Sequence, residues 1–205
     1  MIVQGSDAWF AERCGKVTAS RVADVVAKTK IGWGASRANY MAQLIAERLT
    51  GTVADSYSNA AMQHGINTEP DARAAYEFRY DVDVVEVGFV NHPIIGLTGA
   101  SPDGLVGEDG LVEIKCPNTA THIDTLLWQK VPAKYITQMQ WQMACTERQW
   151  CDFVSYDPRM PESMRFFCAC IERNDNLIEE LEEAVVLFIE ELNGKQAELE
   201  SLYTR

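Results

Sequence analysis

A chain of 205 residues with 47% apolar and 23% charged side chains is long enough for one large domain with a substantial core, and no apolar run approaches the length of a membrane span. Its net charge of −12 excludes a protein that coats nucleic acid through a uniformly basic surface. The charge is uneven, however. Residues 1–50 carry seven basic side chains (Arg13, Lys16, Arg21, Lys28, Lys30, Arg37, Arg48) against four acidic ones, whereas from Glu172 onward ten acidic residues face only Arg173, Lys195 and Arg205. A local or enclosed basic site is compatible with that distribution. Six cysteines (Cys14, Cys116, Cys145, Cys151, Cys168, Cys170) without CxxC spacing read as reduced, mostly buried thiols. The N-terminus has no basic-then-apolar leader, so the reading is a cytoplasmic protein with no membrane partner.

Ser6 predicts a capped short helix over Asp7–Arg13, ended by Gly15. Thr18 or Ser20 starts a second helix with Val22, Val25 and Val26 on one face. Residues 28–35, with Lys28, Lys30, Gly32, Trp33 and Gly34, read as a mobile basic loop. Ser36 caps a longer helix bearing Tyr40, Leu44, Ile45 and Leu49 and closed by Gly51, and residues 52–58 are a polar connector. Helical pattern resumes from about Asn59 to Arg79; Gly65 and Pro70 interrupt it, which fits one kinked helix or two pieces. Val82–Val90 reads as a strand and His92-Pro93 as a break.

Next comes a hairpin. Ile94, Ile95, Leu97 and Thr98 lead in, Gly107-Glu108-Asp109-Gly110 supplies the turn, and Leu111, Val112 and Ile114 lead out. Thr119 caps a helix through Leu127, and Pro132 opens a longer one holding Tyr135, Gln138, Gln140, Trp141 and Gln142. Trp150–Tyr156 and Met164–Ile171 are apolar strands around the Asp157–Pro161 turn. A helix from about Asp175 places Leu177, Leu181, Val185, Phe188 and Leu192 on one face and glutamates on the other. The order predicts an α/β (or α+β) fold with a central mixed β-sheet flanked by helices.

The hairpin holds the chemistry. Glu113 and Lys115 point the same way from their strand and Ile114 the other; a register that sets Asp103 across from them brings two carboxylates and an ammonium to one strand edge. Hard divalent ions take carboxylate oxygens, and a neighbouring lysine steadies an attacking water or a developing negative charge. That set suits metal-assisted phosphodiester hydrolysis. The competing reading gives Asp103 to a Pro-Asp-Gly turn and makes Glu113 and Lys115 a solvated cross-strand pair. His64, His92 and His122 share no ligand spacing and read as structural or solvated.

Ser101-Pro102-Asp103-Gly104-Leu105, Glu113-Ile114-Lys115-Cys116-Pro117 and Gly65-x-x-x-Glu69 resemble the phage lambda exonuclease (YqaJ-type) branch of the PD-(D/E)XK nucleases. The resemblance continues through Trp9 with Arg13, Thr18-Ala19-Ser20, Tyr135-x-x-Gln138-x-Gln140, Tyr156-Asp157-Pro158-Arg159-Met160 and Ile171-Glu172-Arg173, in order along nearly the whole chain. It implies a restriction-endonuclease-like core. The expected division is a helical DNA-end-binding part over 1–58, a catalytic core over 59–171 and an acidic C-terminal helix over 172–205.

The same resemblance implies roles. Asp103, Glu113, the Ile114 carbonyl and, directly or through water, Glu69 would bind Mg²⁺ or Mn²⁺, with two ions per site. Lys115 would position the hydrolytic water, and Gln138 would contact phosphate or ordered water. Arg13, Ser20 and Ser101 match a pocket selecting a 5′-phosphate, Tyr135 and Gln140 stand in the DNA-binding set, and Trp9 resembles an apolar wedge where strands part. The implied activity is 5′→3′ degradation of one strand of linear duplex DNA, releasing mononucleotides and leaving 3′ overhangs. The implied assembly is a processive, ring-shaped homotrimer, phage or prophage encoded, partnered by a single-strand annealing protein in recombination. The alternatives are a PD-(D/E)XK endonuclease and a non-catalytic DNA-end-binding scaffold.

Overall fold

The computed structural model describes residues 2–53 and 60–203; residues 54–58 of the expected connector, and Asn59 at the expected start of the next helix, lie outside them. Helix α1 (Asp7–Arg13) begins where its sequence predicts, with Ser6 accepting the Trp9 N–H. The exit at Gly15 has φ +69°, and a Cβ there would strike the Arg48 side chain. After strand β1 (Val17–Thr18), a 3₁₀ turn (Ala19–Arg21) leads into α2 (Val22–Val25), a single turn that sends Val22 and Val25 into the core. The basic stretch expected to be a loop is a hairpin of β2 (Lys28–Thr29) and β3 (Gly32–Trp33). Thr29 Oγ1 accepts the Ile31 N–H and donates to the Gly32 carbonyl, while Arg37 and Lys28 sit over the Trp33 ring. Helix α3 (Ala35–Thr50) starts one residue before Ser36, with Gly34 as its uncapped N-cap, and ends at Gly51 in the left-handed region.

Helix α4 (Ala60–Tyr80) is continuous through Gly65 and Pro70. Proline removes one hydrogen bond from the ladder, and buried Ala72 and Tyr76 pin the helix against Val112, Ile114 and Val154 regardless. The strand expected over 82–90 is two short strands in different sheets, β4 (Val84–Val85) and β5 (Val90–Asn91). Gly88 makes the crossing possible, because a Cβ there would stand 2.6 Å from the Ile2 carbonyl.

Strands β6 (Thr98–Ala100), β7 (Gly104–Val106) and β8 (Gly110–Lys115) correct the expected hairpin. Its turn is where predicted, but the arm paired with β8 is Gly104–Val106. Residues 94–97 stay a turn, held by His92 Nδ1 accepting the N–H groups of Ile94 and Ile95. Strand β6 pairs instead with β1 and β5 in a three-stranded sheet.

Helix α5 (Thr119–Trp128) is capped by Asn118, not Thr119, whose hydroxyl is drawn off to Asp157. Helix α6 (Ala133–Thr146) follows Pro132. Strand β9 (Trp150–Tyr156) has the predicted bounds. Met164 belongs to a 3₁₀ turn before β10 (Phe166–Glu172), and α7 (Asp175–Tyr203) closes the chain.

The main sheet runs β10-β9-β8-β7-β4, parallel between β8 and β9 and antiparallel elsewhere, which is the mixed α/β architecture expected. Helix α4 covers one face. Met139 and Met143 of α6 cover the other, against Leu111, Phe153 and Phe167. Leu181, Val185, Phe188 and Leu192 of α7 pack on α2 and α3, building the second core beside the small sheet. All six cysteines are free. Cys116, Cys145 and Cys151 are buried, whereas Cys170 is exposed. The buried His122 is structural, bonded to Ser155 and the Met164 carbonyl. No helix among the described residues is long and apolar enough to cross a membrane.

Candidate active site

Alternation along β8 decides which side chains meet. Val112 and Ile114 face α4, so Leu111, Glu113 and Lys115 face α6. Gly104 pairs with Val112, which sets Asp103 beside the next residues of β8, and Asp103 Oδ2 accepts the Ile114 N–H at 2.6 Å. Lys115 forms an ion pair with Glu113, which is fully buried. The convergence anticipated from the register is therefore present.

Charge crowding shapes this cluster. Asp103 and Lys115 keep partial solvent contact although protein surrounds them. Burial, reinforced by the Glu113 charge, pushes the Asp103 carboxyl well above the usual carboxylate range. Burial alone would lower the Lys115 ammonium, but the Glu113 and Asp103 carboxylates outweigh it and hold the ammonium above its ordinary value. Lys115 thus stays a cation, suited to steadying negative charge rather than to taking a proton.

Helix α6 supplies two glutamines, one turn apart. Gln138 Nε2 donates to Glu113 Oε1 and Gln142 Nε2 to Glu113 Oε2, both at 2.6 Å. The sequence reading anticipated Gln138 and left Gln142 without a role, although the i, i+4 spacing put the two on one face. Gln140 is a correction. It points to the other side of α6, buried, donating to the Glu172 carbonyl at 2.8 Å and accepting the Asn174 N–H at 2.9 Å. Both ends of its amide are spent on the β10–α7 junction, which removes it from a DNA-contacting set. Tyr135 stacks on Phe153 with ring centroids 5.4 Å apart, and its ring lies 5.4 Å from Lys115 Nζ, at the rim of the site.

Glu69 reaches the cluster from α4. It pairs with Arg73 at 2.7 Å, and burial raises its carboxyl against the pull of Arg73 and Lys115. Pro70 does not displace it, since the helix is unbroken there.

The residues assigned to phosphate recognition also meet, in part. Trp9 Nε1 and Arg13 Nη1 donate to Ser101 Oγ at 2.9 and 3.1 Å, and the Arg13 guanidinium lies 3.9 Å over the Trp9 ring. Ser101 is two residues before Asp103, so this polar cluster and the carboxylates share one short segment. Among the described residues no hydrogen bond ties Ser20 to this cluster; it is exposed on the 3₁₀ turn with its hydroxyl 3.4 Å from Thr18 Oγ1.

Among the described residues no three Asp, Glu, His or Cys side chains already stand together as a cation cage. The donor chemistry nonetheless fits a hard cation. All the candidate donors are oxygens, and the charges of Glu113 and Glu69 both act to raise Asp103, a repulsion that a bound divalent ion relieves. Asp103, Glu113 and the Ile114 carbonyl could hold one, with Glu69 nearby.

Residues 8–149, a span containing every candidate site residue named above, match the YqaJ-like viral recombinase domain. The chain belongs to that family. Comparison with curated protein sequences finds no match. Among solved structures, the YqaJ-like chain is similar to an alkaline exonuclease (LHK-Exo) from Laribacter hongkongensis, at 56% identity and TM-score 0.91 over 97% of this chain and 98% of that one. The complex of LHK-Exo with dAMP matches at 56% identity and TM-score 0.92 over the same shares. A phage-related exonuclease from Haemophilus somnus 129PT shares the fold, at 17% identity and TM-score 0.74 over 90% of this chain and 96% of that one.

Proposed function

We propose that this YqaJ-like protein is a metal-dependent exonuclease that degrades one strand of linear duplex DNA 5′→3′ from a phosphorylated end, releasing mononucleotides and leaving 3′ single-stranded overhangs for recombination by strand annealing. The observation that carries the reading is the short Ser101–Asp103 link, which joins the Trp9–Arg13–Ser101 cluster to the Asp103–Glu113–Lys115 cluster. An end phosphate held at Arg13 would lie close to the hydrolytic groups, and successive cuts from that end follow. Family membership and the 56% identity to an alkaline exonuclease support the same chemistry.

In this reading Arg13 forks onto phosphate oxygens, with Ser101 turning its hydroxyl toward them. Mg²⁺, or Mn²⁺ in its place, with two ions per site, would be held by Asp103, Glu113, the Ile114 carbonyl and Glu69 and would supply Lewis acidity and a more acidic bound water. Lys115, kept protonated by its carboxylate neighbours, steadies the negative charge that develops on the phosphate. Gln138 is half-buried at the edge of the site and can turn from Glu113 to the phosphate. The reading includes a homotrimeric ring in which the basic N-terminal third faces the duplex and the acidic α7 faces away, and a phage-type annealing protein as partner.

The test is linear duplex labelled on one strand, bearing a 5′-phosphate or a 5′-hydroxyl, with Mg²⁺. Labelled mononucleotides from the phosphorylated strand, lost with EDTA, are the expected result. Cutting of closed circular DNA would replace this reading with an endonuclease, and end binding without cleavage in Mg²⁺ and Mn²⁺ would replace it with a scaffold. Sedimentation equilibrium checks the trimer.

A further inference from the structure

The two oxygens of Glu113 are held in different ways. Oε1 takes the half-buried Gln138 amide and the Lys115 ammonium, both at the site. Oε2 takes Gln142, which is fully buried, as are its chain neighbours Trp141 and Met143. The Gln142 amide has one possible orientation, since turning it over would set its own carbonyl oxygen against the carboxylate and forfeit a charge-assisted bond. Its Oε1 is enclosed with no hydrogen-bond partner among the described residues, none of which competes on that side for the amide.

We propose that Gln142 is a positioning residue of the nuclease site: it anchors Glu113 Oε2 to α6 throughout the cycle and leaves Oε1 as the oxygen that meets Lys115, exchanges Gln138 and faces a divalent cation. The inference rests on the nuclease reading above and assigns a division of labour within it. A carboxylate free to rotate offers a cation one oxygen or two. With Oε2 tied back, Glu113 offers one in a fixed direction, which suits a small cation that demands near-octahedral geometry. Gln138 is the exchangeable contact and Gln142 the permanent one. Groups that orient a metal ligand in this way are commonly worth 10–100-fold in ion affinity.

The experiment compares the full chain with Gln142→Met, which keeps an unbranched side chain of similar length but has no donor, and with Gln142→Leu, which also lacks a donor but differs in shape. Mn²⁺ binding is followed by electron paramagnetic resonance without DNA, and the Mg²⁺ dependence of duplex degradation is measured in parallel. For Gln142→Met we expect Mn²⁺ affinity to fall about 10–100-fold, with the half-saturating Mg²⁺ concentration rising in step and turnover at saturating Mg²⁺ falling less. Gln142→Leu should lose as much, whereas a role in packing alone would make the two losses differ with the shape of the side chain. Gln140→Leu perturbs the same helix without touching Glu113 and serves as control. Wild-type ion affinity in both Gln142 variants, or an equal loss in Gln140→Leu, would overturn the proposal. If the unsubstituted chain binds no Mn²⁺, the nuclease reading itself fails. The positioning claim is then decided by the crystal structure of Gln142→Met, where a rotated Glu113 carboxylate upholds it and an unmoved one overturns it. Should Gln142→Met not fold, Gln142→Leu carries the same comparison.

Discussion

The Ile114 amide donates to the Asp103 carboxylate at 2.6 Å, one step beyond the last paired residues of the β7–β8 hairpin. The bond turns an approximate strand register into a fixed spacing between two carboxylates that would otherwise repel. It also explains why a ten-residue separation in sequence produces proximity in space. Val112 and Ile114 are locked into the core on the α4 side, so Glu113 and Lys115 cannot face elsewhere. The core of the sheet and the geometry of the site are consequences of one alternation.

Lys115→Ala should reduce cleavage of 5′-phosphorylated duplex by about 10²–10³-fold, the loss found when a preorganised charge-stabilising group is deleted, while end binding measured by fluorescence anisotropy persists. The buried Glu113 carboxylate retains its two glutamine donors in that variant. Wild-type turnover would remove Lys115 from the chemistry.

Arg13→Ala should act on recognition rather than on hydrolysis. Its guanidinium is already fixed over Trp9 and aimed at Ser101, so little ordering remains when a phosphate arrives. A charged hydrogen-bonding contact is worth roughly 1.5–3 kcal/mol, so the preference for 5′-phosphate over 5′-hydroxyl ends should drop by about 10–100-fold. Competition between the two substrates in one tube measures this directly, and unchanged discrimination would dissolve the pocket.

Legibility in the sequence followed the physical strength of the signal. Asp7–Arg13 and Trp150–Tyr156 were readable to the residue because a capping serine with a following glycine, and a bounded apolar run, leave little choice. The leading arm of the catalytic hairpin was not. Gly104 reads as turn punctuation, yet it is a strand position whose missing Cβ makes room for Val84. The apolar Ile94 and Leu97 imitate a strand while standing in an exposed turn. Likewise Asn118 and Thr119 compete for one cap, and the outcome depends on Asp157, 38 residues downstream of Thr119, which no local pattern contains. In the site, Asp103, Glu113 and Lys115 were legible because strand alternation is strict. Gln140 stood in the DNA-binding set and Gln142 had no role, because a motif taken whole does not say which glutamine faces which side of a helix.

Acid should weaken the fold through Asp157. The carboxylate is buried and accepts from the Thr119 hydroxyl at 2.7 Å, the Arg159 N–H at 3.0 Å and the Arg159 guanidinium at 2.7 Å. Burial alone would raise it, but these donors hold it down at about 2. A carboxyl depressed on folding contributes stability that is fully present above its unfolded value near 4 and is lost as pH falls through that value toward about 2. With Arg159 half-exposed, its contribution is about 1–2 kcal/mol, equivalent to a few degrees in Tm for a chain of this size. The Tm gap between the wild type and Asp157→Asn should hold steady from pH 7 to 5 and shrink between pH 4 and 2.5. A gap independent of pH would mean that the asparagine loses shape rather than charge.

Gln140→Leu separates a structural glutamine from its catalytic neighbours. The substitution leaves the Glu172 carbonyl and the Asn174 N–H without their partner where β10 hands over to α7, and α7 carries Leu181, Val185 and Phe188 into the core. Glu172 and Asn174 are themselves exposed, so water can replace the lost partner and the two bonds together are worth about 1–2 kcal/mol, which lowers Tm by roughly 3–6 °C. Activity per folded molecule at 25 °C and affinity for duplex ends should stay at wild-type levels, because Gln138 and Gln142 keep their hold on Glu113 from the other face of the same helix. Differential scanning calorimetry with nuclease assays well below the transition makes the separation. Lost DNA affinity with an unchanged Tm would return Gln140 to the DNA-contacting set.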